Sequence, residues 1–201
     1  MLLLYAIPVG IVLGLAAGGR LAPLGAIHIR FWPLALGGLL FQLLLFGPLA
    51  PLVGTLGPVL YVGSTVVVLA ALLANLRQPG FTLILLGALL NLAAIIANGG
   101  QMPASAEAFA ALTGAGQVPT TDFSNSIVVA PDAPLFFLGD IFVLPRQIPL
   151  ANVFSIGDVL IAAGGALFVA LTMRRPQSAR AAPAAPAAVP PRGRISRAVD
   201  G

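Results

Sequence analysis

Apolar residues run along this chain in five long blocks, residues 2–17, 31–48, 58–76, 80–98 and 152–173, parted by stretches rich in glycine and proline. Neither the strict alternation of a half-buried strand nor the spacing of a one-faced helix dominates them. A helix that is hydrophobic all round is surrounded by protein core or by lipid. Crossing a hydrocarbon layer of about 30 Å takes roughly 17–25 residues. Every block except the slightly short first one reaches that length. Proline placement agrees: Pro33 and Pro58 lie near helix starts, where a missing N–H costs nothing, and Pro79 lies in a turn. The pattern predicts an all-α, polytopic membrane helix bundle of about five transmembrane helices. It forms a membrane domain over residues 1–175, with a partly ordered segment, 99–151, between helices four and five.

The charged positions give this bundle a direction. Arg20, His28 and Arg30 fall between the first two blocks and Arg77 between the third and fourth. Arg174, Arg175, Arg180, Arg192, Arg194 and Arg197 follow the fifth. Glu107, Asp122, Asp132 and Asp140 all lie in the long segment, where Arg146 is the one arginine. Five crossings therefore put nine of the ten basic residues on one side and these four carboxylates on the other. Four or six crossings would mix them. Because arginine collects in cytoplasmic loops, the expected topology has the N-terminus outside and the C-terminus in the cytoplasm of a bacterial inner membrane. The first block reads as a retained helix and not a secretory signal, since no positive charge precedes it and Arg20 follows it.

Composition narrows the chemistry further. Only 8% of the 201 residues are charged, with mean hydropathy +1.03, against roughly 25% charged in a soluble domain. The net charge of +4 is all arginine, which suits anionic membrane lipid and not nucleic acid in a chain of this kind. Without cysteine there is no disulfide, thiol catalysis or thiolate metal site, and the single His28 makes no multi-histidine site. No metal or cofactor is expected. Residues 176–201, rich in alanine, proline and arginine, cannot bury a core and are expected to be a disordered cytoplasmic tail.

Small and polar residues inside the blocks mark contacts. Gly10, Gly14 and Gly18 form a stripe that lets two helices approach closely, either within the chain or in a homo-oligomer. Gln42, deep in the second block, is expected to hydrogen-bond a neighbouring helix.

The long segment holds the candidate chemistry. Its length exceeds that of a plain connection. Ser105 caps a short helix reaching Leu112, residues 114–125 are turn-like, and Ile127–Val129 reads as a strand. Residues 135–144 form an apolar run around one acid, Asp140, too short to span. The fifth block opens with Asn152, Ser155 and Asp158; Asn152 or Ser155 serves as N-cap, and Asp158 lies within the membrane's outer edge. An ionisable residue there is a site hypothesis by default. The plainer alternative is a carboxylate favoured by the helix dipole and paired with Arg146. Asn91 and Asn98 share a face of the fourth helix. Asn98 and Gln101 either end that helix, with Gly99 as the stop, or line one polar pocket with Asp140 and Asp158.

The stretches Asn98-Gly-Gly-Gln-Met-Pro103, Leu138-Gly-Asp140 and Ser155-Ile-Gly-Asp158 resemble an uncharacterised family of small bacterial membrane proteins. That resemblance implies five helices and no stated activity. Residues 138–158 also resemble the end of lipoprotein signal peptidase, which implies Asp140 and Asp158 as a catalytic pair. The Asn lies six positions before the second Asp where that family has three, and its Asn-x-x-Asp-Arg element is missing. Two close carboxylates sharing a proton can activate water. Three functions follow in order of support. The first is a non-catalytic bundle that binds a lipid, peptide or protein partner at its outer face through residues such as Asn98, Gln101, Arg146, Asn152 and Ser155. The second is a membrane-embedded aspartic hydrolase. The third is a small transporter or channel, disfavoured because no acid lies at mid-helix and no inverted repeat is evident.

Overall fold

A computed structural model describes residues 2–113 and 126–175; the turn-like stretch 114–125 and the tail 176–201 lie outside the described residues. The chain forms a helical bundle with a small cap at one end. Helix α1 covers Leu3–Ala16, α2 Trp32–Leu45, α3 the single turn Ala50–Val53, α4 Gly57–Leu73, α5 Phe81–Ala97, and α7 Ile156–Met173. Between α5 and α7 come β1 (Met102–Ser105), α6 (Ala106–Thr113), β2 (Ser126–Val129), a 3₁₀ turn at Phe136–Leu138, β3 (Phe142–Leu144) and β4 (Asn152–Phe154). Two stretches, Ala50–Leu73 and Ile156–Met173, are long and apolar enough to cross a membrane; three other apolar helices are shorter.

The long helices pack in the spatial order α2, α4, α5, α7, α1. Glycine sets the tightest seams. A Cβ on Gly87 would lie 2.4 Å from the Gly157 carbonyl oxygen, and one on Gly80 would lie 2.1 Å from that of Gly164. The two pairs sit seven residues apart on each helix, so α5 and α7 touch backbone to backbone over two turns, running antiparallel. On the other side of α7, Gly10 meets Ala166 and Val169, and Gly14 meets Ala170 and Met173, which makes α1 parallel to α7. The glycine stripe of α1 is thus engaged within the chain at Gly10 and Gly14, while Gly18 faces open space. Gln42 donates to both Ser64 and Thr65 at 3.1 Å, tying α2 to α4 as its position suggested.

At the end opposite the cap, the loops are stitched by side chains that imitate backbone. Buried Asn75 accepts from the Arg30 N–H at 2.8 Å and donates to the Arg30 carbonyl at 2.7 Å. Gln78 donates to the His28 carbonyl and accepts from Arg175 at 2.8 Å. The Arg20 N–H reaches the Met173 carbonyl at 2.8 Å.

Three expectations need correction. The outer segment is richer in strand than the sequence pattern suggested. In it β1 pairs in parallel with β2, and β3 pairs antiparallel with β4. The fifth helix begins at Ile156 and not at Asn152, because Asn152–Phe154 alternates as a strand and stacks Phe154 on Phe142 at 5.5 Å. Asn152 is therefore a strand residue and caps nothing; Ser155 is the N-cap.

Candidate functional site

The α5 C-terminus, the α7 N-terminus and the cap meet at one place. Helix α5 stops because Gly99 and Gly100 adopt φ of 69° and 88°, a left-handed backbone closed to most residues. The Gly100 N–H returns to the Ile95 carbonyl at 2.8 Å, sealing the helix end in a Schellman-type arrangement. Asn98 then donates to the Ala94 and Pro134 carbonyls, both at 2.8 Å, pinning the loop before the 3₁₀ turn. Its work is to join helix and cap, and it forms no hydrogen bond to Asp140 or Asp158. Gln101 is half-buried one residue before β1.

The cap wraps onto this end through an apolar cluster of Ala94, Ile95, Met102 and Leu138, with Tyr61 of α4 against it. From that cluster Gly139 leads directly to Asp140. A Cβ on Gly139 would lie 2.3 Å from the Pro103 oxygen, so only glycine lets this segment come against β1. The Asp140 N–H donates to that Pro103 oxygen at 2.8 Å, and its carbonyl accepts from Ser105 at 3.1 Å. Asp140 thereby lies alongside β1 as a further parallel bridge. The Asp140 carboxylate, 6% exposed, accepts from the Ser126 hydroxyl at 2.8 Å. Burial pushes its pKa up to about 6; the Ser126 hydrogen bond works against that rise, and the Asp158 charge adds to it.

Asp158 is held differently. Ser155 Oγ accepts from the Asp158 N–H at 3.0 Å, and Asp158 Oδ2 accepts from the Ser155 N–H at 3.2 Å, a reciprocal capping box. Asn91 of α5 closes the ring, donating to Asp158 Oδ1 at 2.9 Å and accepting from Ser155 Oγ at 2.9 Å. This contact exists because Gly87, one turn before Asn91, lets the helices touch. A Cβ on Gly157 would lie 1.9 Å from Asn91 Oδ1. Both Asp158 oxygens are thus engaged by groups that organise a helix start. Arg146, the partner expected for Asp158, is exposed and donates to the Leu112 carbonyl instead.

Asp140 and Asp158 therefore reach one end of the molecule and feel each other's charge, without a hydrogen bond between them. Half-buried Tyr61 lies within electrostatic reach of both, and among the described residues its hydroxyl forms no hydrogen bond. The cluster is rich in acceptors, and no group of three or more metal-ligating side chains occurs among the described residues. Sequence reasoning left three of its members out of the candidate site: Asn91, Tyr61 and Ser126. The Asn91–Asn98 spacing was a signal for the first. For Tyr61 and Ser126 no sequence signal stood out.

A family model described as a family of unknown function, DUF5317, matches residues 26–170. No curated protein and no solved structure matches the chain.

Proposed function

We propose, for a chain that belongs to the DUF5317 family of unknown function, a multi-pass membrane bundle that binds a partner at its outer face without catalysing a reaction on it. In this reading all five long helices cross a bacterial inner membrane, with the capped end outside and the arginine end in the cytoplasm. Mid-helix residues on different helices support it: Val9, Leu39, Val66 and Leu89 are 47%, 47%, 52% and 46% exposed. Each such side chain would cost on the order of 1 kcal/mol in water and nothing against lipid tails. Helices α1 and α2, at 14 residues each, span about 21 Å at 1.5 Å per residue. Their apolar flanks and a locally thinner bilayer make up the difference.

The observation that carries the binding role is the Asp140 carboxylate, buried, accepting from the Ser126 hydroxyl and within electrostatic reach of a second carboxylate and a phenol. A partner supplying hydrogen-bond donors and positive charge, such as the amine of a lipid headgroup or a peptide, fits that chemistry. The mutual influence of Asp140 and Asp158 favours one second reading, a water-activating pair of an aspartic hydrolase. Against it, the capping box and Asn91 already occupy both oxygens of Asp158.

Two linked measurements test the proposal. A reporter fused after Arg175 should read cytoplasmic, and an extracytoplasmic signal would overturn the orientation. Full-length protein in neutral detergent should melt higher with added phosphatidylethanolamine than with phosphatidylcholine, whose quaternary amine donates no hydrogen bond. Asp140→Asn should remove that difference; an undiminished difference in the variant would dismiss the site.

A further inference from the structure

The end of the bundle opposite the cap carries a second surface that the outer site does not use. Three separate chain segments converge there, fixed by hydrogen bonds already described: Arg20 on Met173, Arg30 on Asn75, and Gln78 on both His28 and Arg175. They bring Arg20, Arg30, Arg77, Arg174 and Arg175 to one face, all exposed. The described carboxylates, Glu107, Asp132, Asp140 and Asp158, belong to the cap or to the capped end of α7. The charge on this face is therefore not neutralised within the described structure. Next to it stand exposed aromatics. Trp32 is 57% and Phe31 52% exposed, and the Arg30 guanidinium lies 5.7 Å from the Phe31 ring centre. Phe31 holds φ of 58°, a left-handed backbone rare for a bulky residue, at the point where α2 begins. Guanidinium groups beside aromatic rings, at the rim of an apolar helix collar, match the phosphate and glycerol layers of a bilayer in that order.

From this juxtaposition we infer that the arginine face is a binding surface for anionic phospholipid, with Arg30 and Arg77 contacting headgroup phosphates and Phe31 and Trp32 seated at the acyl boundary. The inference rests on the membrane reading above. Guanidinium pairs with phosphate through parallel N–H donors. Each arginine near an anionic leaflet favours binding by roughly five-fold, an effect that salt screens. Soluble nucleic acid would not account for the aromatic rim.

Trp32 is the only tryptophan in the chain, so its fluorescence reports on this surface alone. Full-length protein is reconstituted in phosphatidylcholine vesicles containing a minor fraction of spin-labelled phosphatidylglycerol or, separately, spin-labelled phosphatidylcholine, labelled near the headgroup. We expect the anionic lipid to quench Trp32 several-fold more efficiently at equal mole fraction. The preference should collapse in Arg30→Gln/Arg77→Gln and at high salt, and largely return in Arg30→Lys/Arg77→Lys, which guards against a folding defect. Equal quenching of the wild type by both lipids would overturn the anionic-lipid surface while leaving the membrane reading intact. Absence of quenching by either lipid would overturn both. Loss of the preference on adding inorganic phosphate at matched ionic strength would assign the surface to a soluble anion and refute the lipid as its occupant.

Discussion

Replacing Asp140 with asparagine should make the protein more stable at neutral pH, and the size of the gain can be worked out. Burial raises this carboxyl from 3.8 to about 6, so the native state binds the proton more tightly than the unfolded chain. Between about pH 4 and 6 stability then falls as pH rises, and above 6 the loss is complete. Roughly two pKa units correspond to ~3 kcal/mol at 1.36 kcal/mol each. The group is only 6% exposed, so solvent screening takes little from that ceiling. Asparagine carries no charge to desolvate, and its carbonyl oxygen can accept the Ser126 hydrogen bond that Asp140 Oδ2 now takes. The difference between variant and wild type should therefore be near zero at about pH 4 and grow to as much as ~3 kcal/mol by pH 7. That is on the order of 6–12 °C in melting temperature for a chain of this size. Thermal melts of both proteins in neutral detergent across this range read it directly, and subtracting the two curves removes the titrating groups that do not interact with Asp140. A variant less stable than wild type at pH 7, or a difference that does not change with pH, would refute the reasoning.

Two further substitutions probe the α5–α7 junction. Ser155→Ala removes the N-cap, worth about 1 kcal/mol, and strips Asn91 Oδ1 of its donor. A combined loss of about 2–3 kcal/mol is expected, and a melting temperature unchanged from wild type would show that the ring contributes nothing. Gly157→Ala places a carbon 1.9 Å from Asn91 Oδ1 and 2.6 Å from the Gly87 oxygen. The helices must separate or Asn91 must leave, so a monodisperse gel-filtration peak with full wild-type stability would mean the seam is looser than described.

How much of this was legible beforehand varies with the kind of signal. The five helix-forming blocks were plain, because an apolar run needs no knowledge of its neighbours. Gln42 was equally readable, since a lone amide deep in a helix has few ways to be satisfied. The cap was not. Its strands are three or four residues long, too short for an alternating pattern to stand out, and β1 is built on Met102-Pro103-Ala104-Ser105, which has little strand propensity. The start of the fifth helix is ambiguous by four residues in the sequence because Asn152 and Ser155 both look like caps; only the pairing of Val153 with Val143 decides between them. Ser155 and Asp158 were foreseen at a helix start, while Asn91's part in holding them depends on a glycine contact between helices far apart in sequence. Tyr61 joined the site purely through the packing of α4 against α5 and the cap.

The last strand of the cap runs into α7 with only Ser155 between them. That abrupt join makes α7 a stiff rod of 18 residues, about 27 Å long at 1.5 Å per residue. Its far tip is fastened to Arg20 through Met173 and to Gln78 through Arg175. With no slack to absorb a tilt, any force that tips the cap swings this rod as a lever. The displacement then arrives among the guanidinium groups at the opposite end.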